Sequence, residues 1–118
     1  MKYTMAKYTV RPETVREVKK AIAEFVAEVR EHEPRTLCVV FREEGRHSFV
    51  HWMLFKDEAA ERLHAQARYN HRLAQKLLPN FVGKPSFSEF RLFAATKKQW
   101  VLATEPVAGM TAGQRFAR

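Results

Sequence analysis

The chain has 118 residues, 46% of them hydrophobic and 12% aromatic, with a net charge of +8 and a single cysteine. That length fits one domain around one core, and the lone Cys38 cannot form an intrachain disulfide. No apolar run approaches the roughly 18 residues of a membrane span and no signal-peptide pattern opens the chain, so a cytoplasmic protein is expected.

Residues 2–10 alternate as a strand, with Tyr3, Met5, Lys7 and Thr9 on one face and Thr4, Ala6, Tyr8 and Val10 on the other. Pro12 then suits a first helical turn, where its missing N–H costs nothing. Val15, Val18, Ile22, Phe25 and Val29 follow at spacings of three and four, a single apolar stripe on a helix that must end before Pro34. Basic residues on this helix are interleaved with glutamates, as in Arg16-Glu17 and Glu28-Val29-Arg30-Glu31. This is the pattern of a solvated helix surface, and with no basic block interleaved with aromatics it argues against a nucleic-acid partner.

Residues 36–43 form a second strand, apolar on both faces, in which Cys38 reads as a small buried hydrophobe. Gly45 sits in the short connection to a third strand, where Phe49, His51, Met53 and Phe55 alternate with Val50, Trp52 and Leu54. A strand apolar on both faces is central and covered on both. Asp57 offers an N-cap, Glu58 and Glu61 suit the first turn of a second helix, and His64 follows. The spacing predicts one helix from 58 to about 78, with a stripe of Ala60, Leu63, Ala67, Asn70, Ala74 and Leu77 whose small residues leave room beneath it. Pro79 stops it, and residues 87–95 form a fourth strand. Residues 99–104 can form a short fifth strand, and the rest of 97–118 reads as a C-terminal extension to a domain spanning 1–96.

The order strand, helix, strand, strand, helix, strand is the ferredoxin-like βαββαβ arrangement, an α+β fold with a four-stranded antiparallel sheet and both helices on one face. The other face is expected to carry Cys38, Val40, Val50, Trp52, Leu54, Phe90 and Leu92. So large an apolar patch calls for a second copy packed sheet to sheet, a homodimer.

In element order, in Glu33-Pro34 before the second strand, in residues 49–55 as the third strand and in residues 57–64 opening the second helix, the chain resembles the antibiotic biosynthesis monooxygenase family of the dimeric α/β barrel superfamily, over roughly 3–95. That family commonly has a Glu and a Trp late in the third strand, positions held here by Met53 and Phe55, and a His in the second helix, matched by His64. The resemblance implies a monooxygenase that needs no metal or flavin: an electron-rich phenol or hydroquinone is deprotonated and reduces oxygen directly. Histidine suits the base, so His64 and His51 are the catalytic candidates. Met53, Phe55, Tyr69, Asn70 and His71 are the candidates for holding a small aromatic substrate. Each histidine has an ordinary alternative as a half-buried side chain bonded to backbone, and Asn70 can equally satisfy a core carbonyl. His64 and His71 stand about 10 Å apart along a helix with no third ligand, which rejects a metal site. Haem-degrading relatives use a first-strand Asn, absent here. The competing reading is a non-catalytic dimeric module that binds a small ligand or serves assembly.

Overall fold

A computed structural model describes residues 1–96. The expected strand at 99–104 and the extension beyond 96 lie outside the described residues. Four strands, β1 (Lys2–Thr9), β2 (Thr36–Arg42), β3 (Ser48–Phe55) and β4 (Ser86–Phe90), form one antiparallel sheet in the order β2-β3-β1-β4. Among the described residues three α-helices accompany the sheet: α1 (Val15–His32), α2 (Glu58–Gln66) and α3 (Arg68–Leu77). This is the expected α+β ferredoxin-like architecture. Among the described residues no helix is long and apolar enough to cross a membrane.

Helix α1 begins after a 3-10 turn at Pro12–Thr14, and its stripe behaves as its spacing requires: Val18, Ala21, Ile22, Phe25 and Val29 are buried. Burying each of the larger ones contributes about 1.5–3 kcal/mol. Their partners include Tyr8 and Phe49 on the sheet and Val10 just past β1, and Leu73 and Leu77 close the core from α3. Asp57 caps α2 as expected, its carboxylate accepting from the Ala60 N–H at 2.9 Å, and Arg35 pairs with the same carboxylate.

Three expectations are corrected. The second helix is not continuous: Ala67 is extended (φ −68°, ψ 136°), and α2 and α3 meet there with different phases. The residues explain why. On one continuous helix Leu77 would share the stripe of Ala60 and Leu63, but Tyr69 and Leu73 would fall off it. A break lets Leu73 and Leu77 enter the core while Leu63 stays 52% exposed.

The second correction concerns β2. Cys38 pairs with Met53 and Val40 with His51, so both face the helices and pack against the core. The open face instead carries Leu37, Val39 and Phe41 from β2 beside Val50, Trp52 and Leu54 from β3, with Tyr3, Met5 and Phe90 across β1 and β4. Alternation identifies the two faces of a strand, but only hairpin register says which face joins which. Third, β4 ends at Phe90, so Leu92 lies past the sheet.

Candidate functional site

Between the helix-facing side of the sheet and α2–α3 lies a cleft of about 690 Å³. Its floor comes from β1 and β3, where the small side chains of Thr4 and Ala6 leave space beside His51, Met53 and Phe55. Its wall comes from His64, Asn70 and Leu73, and Phe25 of α1 reaches in from behind. Asn70 lines this wall, as its place on the expected stripe requires. Most of the lining is apolar, with a few convergent polar groups, the usual character of a small-molecule site.

His64 is the most constrained of those groups. Its Nδ1 lies 3.1 and 3.0 Å from the two carboxylate oxygens of Glu33, and the hydroxyl of Tyr69 also donates to that carboxylate. The Glu33 side chain is wholly buried and the His64 side chain 12% exposed. Burial alone would raise the Glu33 carboxyl, but the hydrogen bonds from His64 and Tyr69 outweigh it and hold the carboxyl below its usual range. An ionised carboxylate only accepts, so Nδ1 of His64 carries a proton and Nε2 is the nitrogen left for chemistry. The rings of Phe25 and Phe55 hold the imidazole at centroid distances of 5.6 and 5.5 Å.

His51 forms a second polar point. It is buried, and its Nε2 is 2.7 Å from the hydroxyl of Tyr8. Burial, reinforced by nearby His64, pushes its pKa down to about 4, so it is neutral near pH 7. Burial likewise keeps the Tyr8 hydroxyl protonated, well above the usual phenol range.

Of the seven expected site residues, the structure brings His64, His51, Met53, Phe55 and Asn70 together around the cleft. Tyr69 stands behind it, supporting Glu33. His71 is exposed and does not line the cleft, because the break at Ala67 turns it outward. Two residues escaped the sequence reading, Glu33 and Tyr8. Glu33 follows Val29 by four and so extends the buried stripe of α1, a carboxylate where the next apolar residue is due. Tyr8 shares a strand face with Thr4 and Ala6 and meets His51 as a diagonal neighbour across β1 and β3. Elsewhere, Glu28, Glu31 and His32 bring three ligand-type atoms within 4.8 Å of one another on the outer side of α1, where Nε2 of His32 lies 3.2 Å from a carboxylate oxygen of Glu28.

The α+β fold of this chain, a four-stranded antiparallel sheet with its helices on one face, is shared by several solved proteins. The chain is similar to a structure described as an antibiotic biosynthesis monooxygenase, with 21% identity and a TM-score of 0.73 over 80% of this chain and 100% of that one. A candidate antibiotic biosynthesis monooxygenase from Caulobacter crescentus is similar at 19% identity and TM-score 0.70, over 79% of this chain and 90% of that one. A conserved protein from Methanosarcina mazei is similar at 20% identity and TM-score 0.69, over 76% and 90%. No protein-family model and no curated protein matches the chain. The fold of the antibiotic biosynthesis monooxygenase structures is the fold of this chain.

Proposed function

We propose that the chain is a monooxygenase acting on a small electron-rich aromatic, a hydroquinone or related phenol, with His64 as the base. The observation that supports this most is the Glu33–His64 pair, which presents an imidazole of defined tautomer to an apolar cleft large enough for an aromatic ring. Nε2 takes the phenolic proton, and Glu33 stabilises the imidazolium that forms. The electron-rich ring carbon of the phenolate then forms a C–O bond to molecular oxygen, giving a hydroperoxide. Loss of water breaks the O–O bond, so a hydroquinone leaves as a quinone with one added oxygen and the second oxygen departs as water. Met53 and Phe55 supply apolar walls that exclude water, and His51 and Asn70 orient the substrate oxygens.

The names of the similar structures support the reaction class, and the cleft favours a ligand-binding site over a purely structural module. The test is oxygen uptake with a panel of hydroquinones. Turnover should fall by about 10²–10⁴-fold in His64→Ala. No turnover with any of the panel, or turnover that His64→Ala leaves unchanged, rejects the reading. The open sheet face, with Val39, Phe41 and Phe90 among its exposed residues, supports a homodimer packed sheet to sheet.

A further inference from the structure

Tyr8 and His51 share a buried hydrogen bond that the proposed reaction does not by itself require. The Tyr8 ring is fixed between Phe49 and Phe81, at centroid distances of 5.9 and 5.1 Å, and its hydroxyl has Nε2 of His51 as its sole protein partner among the described residues. Nδ1 of His51 has no protein partner among those residues, and the ring borders the cleft.

One proton joins the two groups, and it can sit in two ways. Nε2–H could donate to the phenol oxygen, which is a weak acceptor, and would leave the buried hydroxyl proton without a protein acceptor. A buried hydroxyl proton left without an acceptor is the costlier omission, because solvent cannot reach it to compensate. Alternatively the hydroxyl donates to Nε2, a strong acceptor, and the imidazole proton moves to Nδ1. The second arrangement satisfies the enclosed phenol and leaves the unpaired Nδ1–H on a ring that borders the cleft, where solvent or a ligand can accept it.

We infer that Tyr8 is a positioning residue that holds His51 as its Nδ1–H tautomer, so that the cleft presents a hydrogen-bond donor at His51 and an acceptor at His64. The two histidines are therefore opposite in sense. Both pack on the ring of Phe25, at 6.1 and 5.6 Å, which sets donor and acceptor around one flat space. Resting on the aromatic-binding reading, the inference specifies its ligand further: an aromatic with an ionisable hydroxyl for His64 and a second oxygen, such as a carbonyl, that accepts from His51.

Side-chain nitrogen NMR of the full chain near pH 7 reads the tautomer directly. His51 should appear as Nδ1–H in the wild type and shift toward Nε2–H, the form free imidazole side chains prefer, in Tyr8→Phe. An Nε2–H signal in the wild type, or an unchanged Nδ1–H signal in Tyr8→Phe, overturns the inference. Binding of para-hydroxybenzaldehyde against para-cresol, which lacks the acceptor oxygen, reads the consequence. The aldehyde should bind about three- to tenfold tighter to the wild type, and Tyr8→Phe should lose that preference. Equal binding of both probes to the wild type also overturns it. If neither probe binds while the tautomers are as stated, the aromatic-binding reading falls and the assignment of Tyr8 stands.

Discussion

The two carboxylate oxygens of Glu33 straddle Nδ1 of His64 at 3.1 and 3.0 Å, from a position no solvent reaches. The backbone makes this pairing. Glu33 terminates α1, its N–H bonded to Val29 O at 2.8 Å, so the side chain stays on the buried side of the helix just before Pro34 turns the chain into β2. His64 reaches it from two turns into a helix capped by Asp57. In Glu33→Gln the carboxamide can offer either a donor or an acceptor to Nδ1, so the tautomer is no longer fixed and the imidazolium loses its counter-charge. Turnover of the best hydroquinone should drop by about 10²-fold or more with KM changed little. Steady-state oxygen uptake checks this, and unchanged turnover removes Glu33 from the mechanism.

Much of this arrangement is legible in the sequence, and the missing parts share one cause. Periodicity identifies α1, the two-sided strand β3 and the cap at Asp57, because each is a local pattern. It also places His51 with Met53 and Phe55, since strand parity within one strand is local too. Periodicity does not give the register between strands, which moved Cys38 and Val40 to the opposite face, and it does not reveal the break at Ala67. No Gly or Pro marks that break. It arises because Leu73 and Leu77 must reach a core built by α1 and β1, a tertiary demand that overrides local helix preference. Glu33 and Tyr8 were hidden for the same reason, since each acquires meaning only from a partner more than 30 residues away.

Stability should fall in mild acid. His51 is surrounded by Tyr8, Phe25 and His64, and burial followed by the charge of His64 lowers its pKa to about 4 from an ordinary value near 6.5. Between those values the unfolded chain binds a proton that the folded chain refuses. The stability present above about pH 6.5 is therefore lost as pH falls toward 4, by about 3 kcal/mol in all. Glu33 adds to the loss below the ordinary carboxylate range, because its folded pKa is lowered. Urea unfolding across this window should show the decline in the wild type and a shallower slope in His51→Leu. Equal slopes in the two proteins would rule out His51 as its source.

Cys38 reports which way β2 faces. On the helix side of the sheet, burial and then the Glu33 charge push its thiol up to about 12. Near pH 8 its thiolate should be scarcer than that of a free cysteine by about 10³-fold, and alkylation by iodoacetamide correspondingly slow. Denaturant should restore the rate of an ordinary thiol. Rapid alkylation of the native protein would return Cys38 to an accessible surface and contradict the β2–β3 register.

The open face supplies the strongest expectation about assembly. Leu37, Val39, Phe41, Val50, Trp52, Leu54 and Phe90 lie on one side of the sheet, with Trp52 and Phe90 already in contact at a centroid distance of 5.4 Å. Leu54 is already buried, but Val39, Phe41 and Phe90 are exposed and Leu37, Val50 and Trp52 half-buried, so a second copy covering them would remove on the order of several hundred Å² of apolar surface per subunit from water. At roughly 25 cal/mol per Å², that gain is comparable with the net stability of a small domain. Two substitutions separate this face from the core face behind it. Trp52→Glu should fold but run as a monomer, because it places a charge in the contact without disturbing the packing under the helices. Val40→Glu points the other way, into the core, and should unfold the chain instead of dissociating it. Sedimentation equilibrium at micromolar concentration decides the matter: a wild type that stays a 13.8 kDa monomer, or a Trp52→Glu variant that remains dimeric, defeats the sheet-to-sheet dimer.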